Sequence, residues 1–273
     1  MHFPQARWLT LLSTLFATVH AAVEVDLVFP RNETYSPSNL FPIVFAVQSP
    51  QSAELLNLRS FYEIHWGDYR NNFTTGTHDL QSVNWSSSAD PYLAYDYLQL
   101  NTTRQWLVTW DLQWQSCDKE ALANNKGGGV FDHHFAGAQY FTTDDSALKD
   151  VDLVAATANA TCPNSLNAIA INVTDTTMHS SPDVNTADRD TCVVTVNSTT
   201  SATRTTPDPC RVTIDKKAAE SMAAAHRQKL CDPLKTVNRP DNCPAEENRA
   251  QKLALLGISC FLAAFGVISF ALL

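Results

Sequence analysis

Short apolar–polar alternations, aromatic and β-branched residues concentrated within them, and polar turns between them predict an all-β fold. The expected architecture is an antiparallel Ig-like β-sandwich. The chain has 273 residues, enough for one large or two small domains. It shows neither the helix–strand alternation of a parallel sheet nor an alignable internal repeat.

In Val23–Phe29 the residues Val23, Val25, Leu27 and Phe29 oppose Glu24 and Asp26, the period-two pattern of a half-buried strand. Ile43–Val47 is apolar on both faces and reads as a central strand. Tyr62, Ile64 and Trp66 share one face against Phe61, Glu63 and His65, and Gly67–Asp79 reads as a polar loop. Tyr92–Leu100 and Trp106–Trp114 flank the stretch 101–105 and suggest a hairpin. Further strands are expected over Val130–Phe135, Gln139–Thr142, Val151–Thr157, Ala168–Val173 and Cys192–Val196. The expected sandwich covers residues 22–197. A Ser/Thr/Pro linker follows over 198–209, then a small disulfide-stapled segment over 210–245 with a helix over Ala218–Leu230.

The two ends read as targeting signals. Residues 1–21 carry Arg7, the apolar run Trp8–Val19 and a cleavage pattern at Val19-His20-Ala21, so a signal peptide is expected to end at Ala21. Residues 246–273 form a spacer and a hydrophobic C-terminal tail. The uncharged run Leu253–Leu273 is long enough, at ~1.5 Å per residue, to cross a hydrocarbon core of ~30 Å. It is either a retained transmembrane helix or a glycolipid (GPI) attachment signal. Arg249 and Lys252 precede the run and no Lys or Arg follows it, against the positive-inside bias, which favours the glycolipid. Asn242 and Asn248 are the candidate attachment residues. The expected address is the extracellular face of the plasma membrane, reached through the secretory pathway.

An exported chain oxidises its thiols. Of seven cysteines, Cys260 lies in the tail. The other six, Cys117, Cys162, Cys192, Cys210, Cys231 and Cys243, are expected to form three disulfides, with neighbour pairing (117–162, 192–210, 231–243) closing short loops around turn segments. Asn32, Asn72, Asn84, Asn101, Asn159, Asn172 and Asn197 each open an Asn-x-Ser/Thr sequon and are candidate N-glycosylation sites. The formal charge is −9, and loss of Arg7 with the leader makes it −10. With no clustered Lys or Arg, nucleic-acid binding is not expected.

Trp106, Trp110 and Trp114 share one face of their strand with Val108 and Leu112. Exposed, three indoles could stack on sugar rings; buried, they are core, the more usual fate of such a stripe. Asp132-His133-His134 follows Gly127-Gly128-Gly129, but adjacent strand histidines face opposite ways and cannot share one ion without a bend. Cleavage after Val19 would place His20 first, where its amine and imidazole could grip copper as a histidine brace. Val19 suits that cleavage poorly, so neither metal nor other cofactor is expected. No nucleophile elbow and no zinc-protease helix is present, and catalysis is not the expected role.

The stretches VEVDLVFPRNETYSP, LFPIVFAVQ, VDLVAATANATC…AIAINVT and TC…DPCRVTID resemble a fungal secreted family, the domain of unknown function 7136, over roughly Val23 to Cys243. The resemblance implies an ascomycete source and a signal peptide, with a glycolipid-type tail in some members. It supplies no catalytic residue. The functional expectation is a non-catalytic cell-surface glycoprotein associated with wall or host polysaccharide. The alternatives are a secreted enzyme on wall polysaccharide, glycosidase or copper type, and a purely structural coat protein.

Overall fold

A computed structural model describes residues 21–68, 70–124, 129–158, 162–181, 183, 188–196, 206–232 and 243. The leader with His20, the C-terminal tail, Asn159, Asn197, Asn242 and Asn248 lie outside the described residues. Among the described residues no helix is long and apolar enough to cross a membrane. The chain divides into two compact units, Met1–Ala219 and Glu220–Leu273.

The first unit is an all-β sandwich. Its strands are β1 (Ala21–Phe29), β2 (Thr34–Tyr35), β3 (Ser38–Gln48), β4 (Arg59–Trp66), β5 (Phe73–His78), β6 (Tyr92–Leu100), β7 (Arg104–Cys117), β8 (Val130–Thr143), β9 (Ala168–His179) and β10 (Thr191–Thr195). One sheet runs β10-β9-β1-β3-β6 and the other β2-β8-β7-β4-β5. All pairings are antiparallel except the short β2–β8 pair. Helices α1 (Lys119–Ala123) and α2 (Leu153–Thr157) lie in connections, and α3 (Lys216–Leu230) starts in the first unit and continues into the second. The second unit also holds the Cys231–Cys243 disulfide.

The space between the sheets is filled from both inner faces. Phe29, Tyr35, Phe41 and Phe141 pack at one end, with ring centroids of Phe41 and Phe141 5.0 Å apart. Phe45, Tyr62 and Trp110 meet in the middle, with Phe45 5.3 Å from Trp110. Trp106 donates its indole N–H to Thr143 Oγ1 at 2.7 Å, so its one polar atom is satisfied inside the core. Gly137 stands where a Cβ would lie 2.2 Å from Trp110 Nε1, which makes glycine a packing requirement there.

Several expectations are corrected. Gly67–Asp79 contains β5: Gly76 hides the strand pattern, and its missing Cβ is where the Tyr62 ring packs. β6 and β7 are no hairpin. β6 pairs with β3, and β7 pairs with β4 and β8, so the 101–103 link passes from one sheet to the other. The inner face of β6 meets β4 and β5 instead, where the Tyr62 hydroxyl donates to Asp96 Oδ2 at 2.9 Å. The two stretches expected at 130–135 and 139–142 are one strand, β8. Val151–Thr157 is largely helix α2, because Asp152 Oδ1 accepts from the Val154 and Ala155 N–H groups at 2.9 and 3.0 Å and caps it. Neighbour disulfide pairing holds only for Cys231–Cys243. Cys117 bonds Cys192 and Cys162 bonds Cys210, because the fold brings β7 beside β10 and the 162 loop beside the 206–215 segment.

The outer face of the first sheet is covered in part by the 206–215 segment, held by the Cys162–Cys210 bond. Beneath it Glu24 and Asp26 are buried side by side. Gln48 Nε2 donates to Glu24 Oε1 at 3.0 Å and Asp26 Oδ2 at 2.8 Å, and approaches the Asp208 carbonyl at 3.2 Å. Arg211 lies 3.6 Å from Glu24 Oε2. The Ile214 N–H donates to Thr157 Oγ1 at 2.8 Å and ties the segment to α2.

Burial, reinforced by the charge of Glu24, pushes the Asp26 carboxyl from its ordinary 3.8 up to about 8; burial also raises Glu24. The folded state therefore keeps a proton that the unfolded chain releases near pH ~4. The stability linked to Asp26 is greatest below that point, falls as pH rises to ~8, and is level above it. Asp26→Asn keeps the shape and removes the titration. Thermal melts across this range should show a flatter pH dependence and a higher midpoint at alkaline pH; equal destabilisation at every pH would contradict the account. Loss of the Cys117–Cys192 bond in Cys117→Ala/Cys192→Ala, which joins the two sheets over a separation of 75 residues, should cost about 2–4 kcal/mol in chemical denaturation.

Candidate functional site

The alternation of β7 assigns its residues to two faces. Trp106, Val108, Trp110 and Leu112 point inward and are buried, Trp110 to 2% exposure. The possibility that Trp106 and Trp110 bind a ligand is thereby removed: they are core. Trp114, nearer the strand's end, is only partly buried and stacks on His133 at 5.2 Å with ring planes 15° apart. His133 also meets Ser116 Oγ at 2.8 Å, and burial lowers its pKa. Trp114 is the member of the stripe that still reaches a surface cleft.

The opposite face of this sheet carries an open groove of about 760 Å³ that sequence reasoning missed. Strand register arranges its side chains in rows across β8, β7 and β4. His134 lies level with Gln113 and Arg59, and Ala136 with Asp111 and Phe61. Ala138 lies level with Thr109 and Glu63. Below the first row, Asp132 is level with Gln115.

Neighbouring contacts hold the polar groups of the groove. Gln115 Nε2 donates to Asp132 Oδ1 at 2.8 Å, and Asn57 Nδ2 donates to Gln115 Oε1 at 3.0 Å. Asp111 Oδ2 is 3.5 Å from His134 Nδ1. Glu63 Oε2 is 3.0 Å from His65 Nε2, which also meets Thr109 Oγ1 at 3.1 Å.

Phe61 stands among these planar polar groups with 38% of its surface exposed. An aromatic face bordered by carboxylates, amides, a guanidinium and imidazoles can stack on a sugar ring while bonding its hydroxyls. The signal was present in the alternation of β4, where Phe61 shares the polar side with Glu63 and His65. In the register of β4 and β5, His65 is level with Phe73 and His78 with Ser60. Among the described residues no group of three or more His, Cys, Asp or Glu could hold a metal ion.

The sequons are placed unevenly. Asn32, Asn84 and Asn101 are exposed and Asn72 is partly so, whereas Asn172 in β9 is 8% exposed. Asn72 and Asn101 sit in turns at the end of the sandwich where Trp66 pairs with Trp106, and Asn32 adjoins the β2–β8 pair at that end. The groove lies toward the other end of β7.

Sandwich and groove together define the first unit as an all-β domain with one sheet face open to solvent. A family model described as a domain of unknown function, DUF7136, matches residues 18–243, and the chain belongs to that family. No curated protein matches, and no solved structure matches.

If the chain is glycosylated, glycopeptide mass spectrometry should find sugar on Asn32, Asn84 and Asn101 and none on Asn172. A glycan on Asn172 would contradict the packing of β9.

Proposed function

We propose that this chain is a non-catalytic, glycan-binding glycoprotein of the cell surface, exported and tethered through its C-terminal tail, and that the groove around Phe61 is its binding site. The observation that carries the reading is one exposed aromatic ring set among planar polar side chains on an otherwise open sheet face. Stacking supplies affinity and the polar border supplies orientation. The leader, the sequons and the disulfides support export. The uncharged tail, with Asn242 or Asn248 as the attachment residue, supports a glycolipid anchor, and the family resemblance supports a fungal wall setting.

The full-length chain, solubilised in detergent, should be retained on insoluble wall polysaccharides such as chitin or glucan. Phe61→Ala should weaken retention about tenfold and lower the thermal midpoint only modestly, since the residue keeps 38% of its surface in water. Equal retention of the two proteins, or none by either, defeats the reading. Release from intact cells by a phosphatidylinositol-specific phospholipase is the expected outcome for the tether; resistance would indicate a retained helix.

A further inference from the structure

We infer, resting on the glycan-binding reading above, that the groove is one end of a longer trough that takes a linear, extended β-1,4-linked glycan laid along β7 and β8. The outward residues of β8 in this stretch are His134, Ala136, Ala138 and Tyr140, and their partners on β7 are Gln113, Asp111, Thr109 and Leu107. The two alanines are exposed and rise little above the backbone, so the floor is low where it passes Phe61. At its far end the floor meets a row of Tyr140, Leu107, His65 and Phe73 across four strands. Tyr140 is 46% exposed and Phe73 45%.

From His134 to Tyr140 the strand rises ~20 Å at ~3.3 Å per residue, room for several sugar rings in line. The layout alternates as such a ligand requires. Phe61 offers one stacking face, the alanine floor lets the chain pass, and Tyr140 offers a second. The Glu63–His65–Thr109 contacts run beside the floor and present polar atoms to hydroxyl edges. A β-1,4-linked pyranose chain extends flat and can follow one pair of strands, whereas a β-1,3-linked chain coils away from that line. Glucose and N-acetylglucosamine chains share the flat shape, so both are candidate sources of this chemistry.

The test is calorimetric titration of the deglycosylated full-length chain with cellohexaose, chitohexaose, their disaccharides and a β-1,3-linked hexasaccharide. At least one β-1,4-linked hexasaccharide should bind about tenfold or more tighter than its disaccharide, and tighter than the β-1,3-linked chain. Tyr140→Ala should lower hexasaccharide affinity about threefold to tenfold and leave disaccharide affinity unchanged, while Phe61→Ala lowers both. Equal affinity for short and long chains, an equal effect of Tyr140→Ala on both, or preference for the β-1,3-linked chain overturns the trough and leaves the groove standing. Indifference of every ligand to Phe61→Ala overturns the groove reading itself.

Discussion

The inward stack of β7 is the constraint from which the rest of the sandwich follows. Two indoles, Trp106 and Trp110, with Val108 between them and Leu112 beyond Trp110, occupy the space between the sheets. Each buried indole removes about 150–250 Å² from water, so the strand contributes several kcal/mol through these side chains alone. Strand geometry then leaves no choice for the intervening residues. Leu107, Thr109, Asp111 and Gln113 must face outward, and register hands the same alternation to β4 and β8. The groove is thus a consequence of the core. A slip of one residue in β7 would put indoles in solvent and Asp111 between the sheets.

The other sheet faces a different problem, since its outer surface bears Glu24 and Asp26 in the middle of a central strand. Two carboxyl groups at such positions cannot both remain charged and dry. Gln48 supplies N–H donors to both, Arg211 stands near Glu24, and the Asp26 carboxyl retains its proton over a wide range of pH. The covering segment makes this arrangement necessary, and the Cys162–Cys210 bond holds that segment in place. Cys117–Cys192 does related work at the end of β7, where it ties one sheet to the other.

Much of this architecture was legible in the residues. The period-two runs of β1, β4 and β7 identified a two-layer β fold, and burial as core was the favoured reading of the Trp stripe. What the residues could not convey depends on partners distant in sequence. The apolar faces of β6 and β7 suit a hairpin as well as they suit places in separate sheets, and local patterning does not distinguish the two. Short-loop reasoning mispaired Cys117, Cys162, Cys192 and Cys210 because their partners are set by segments that meet only in the folded chain. The helical character of Val151–Thr157 turned on a single cap, Asp152, against a composition that favours strand.

The candidate site teaches a related lesson about aromatic residues. An indole in phase with Val and Leu is already committed to the core, and its size says nothing about ligands. Phe61 is informative because it is out of phase, on the side of its strand shared with Glu63 and His65. Tyr140 is likewise out of phase with its buried neighbours Gln139 and Phe141. Leaving such rings in water forgoes burial that either could have gained on the opposite face. Their placement in register with a floor of alanine and threonine makes one surface of what the sequence scatters over three strands, and that shared surface, rather than any single residue, is the strongest physical argument for a ligand.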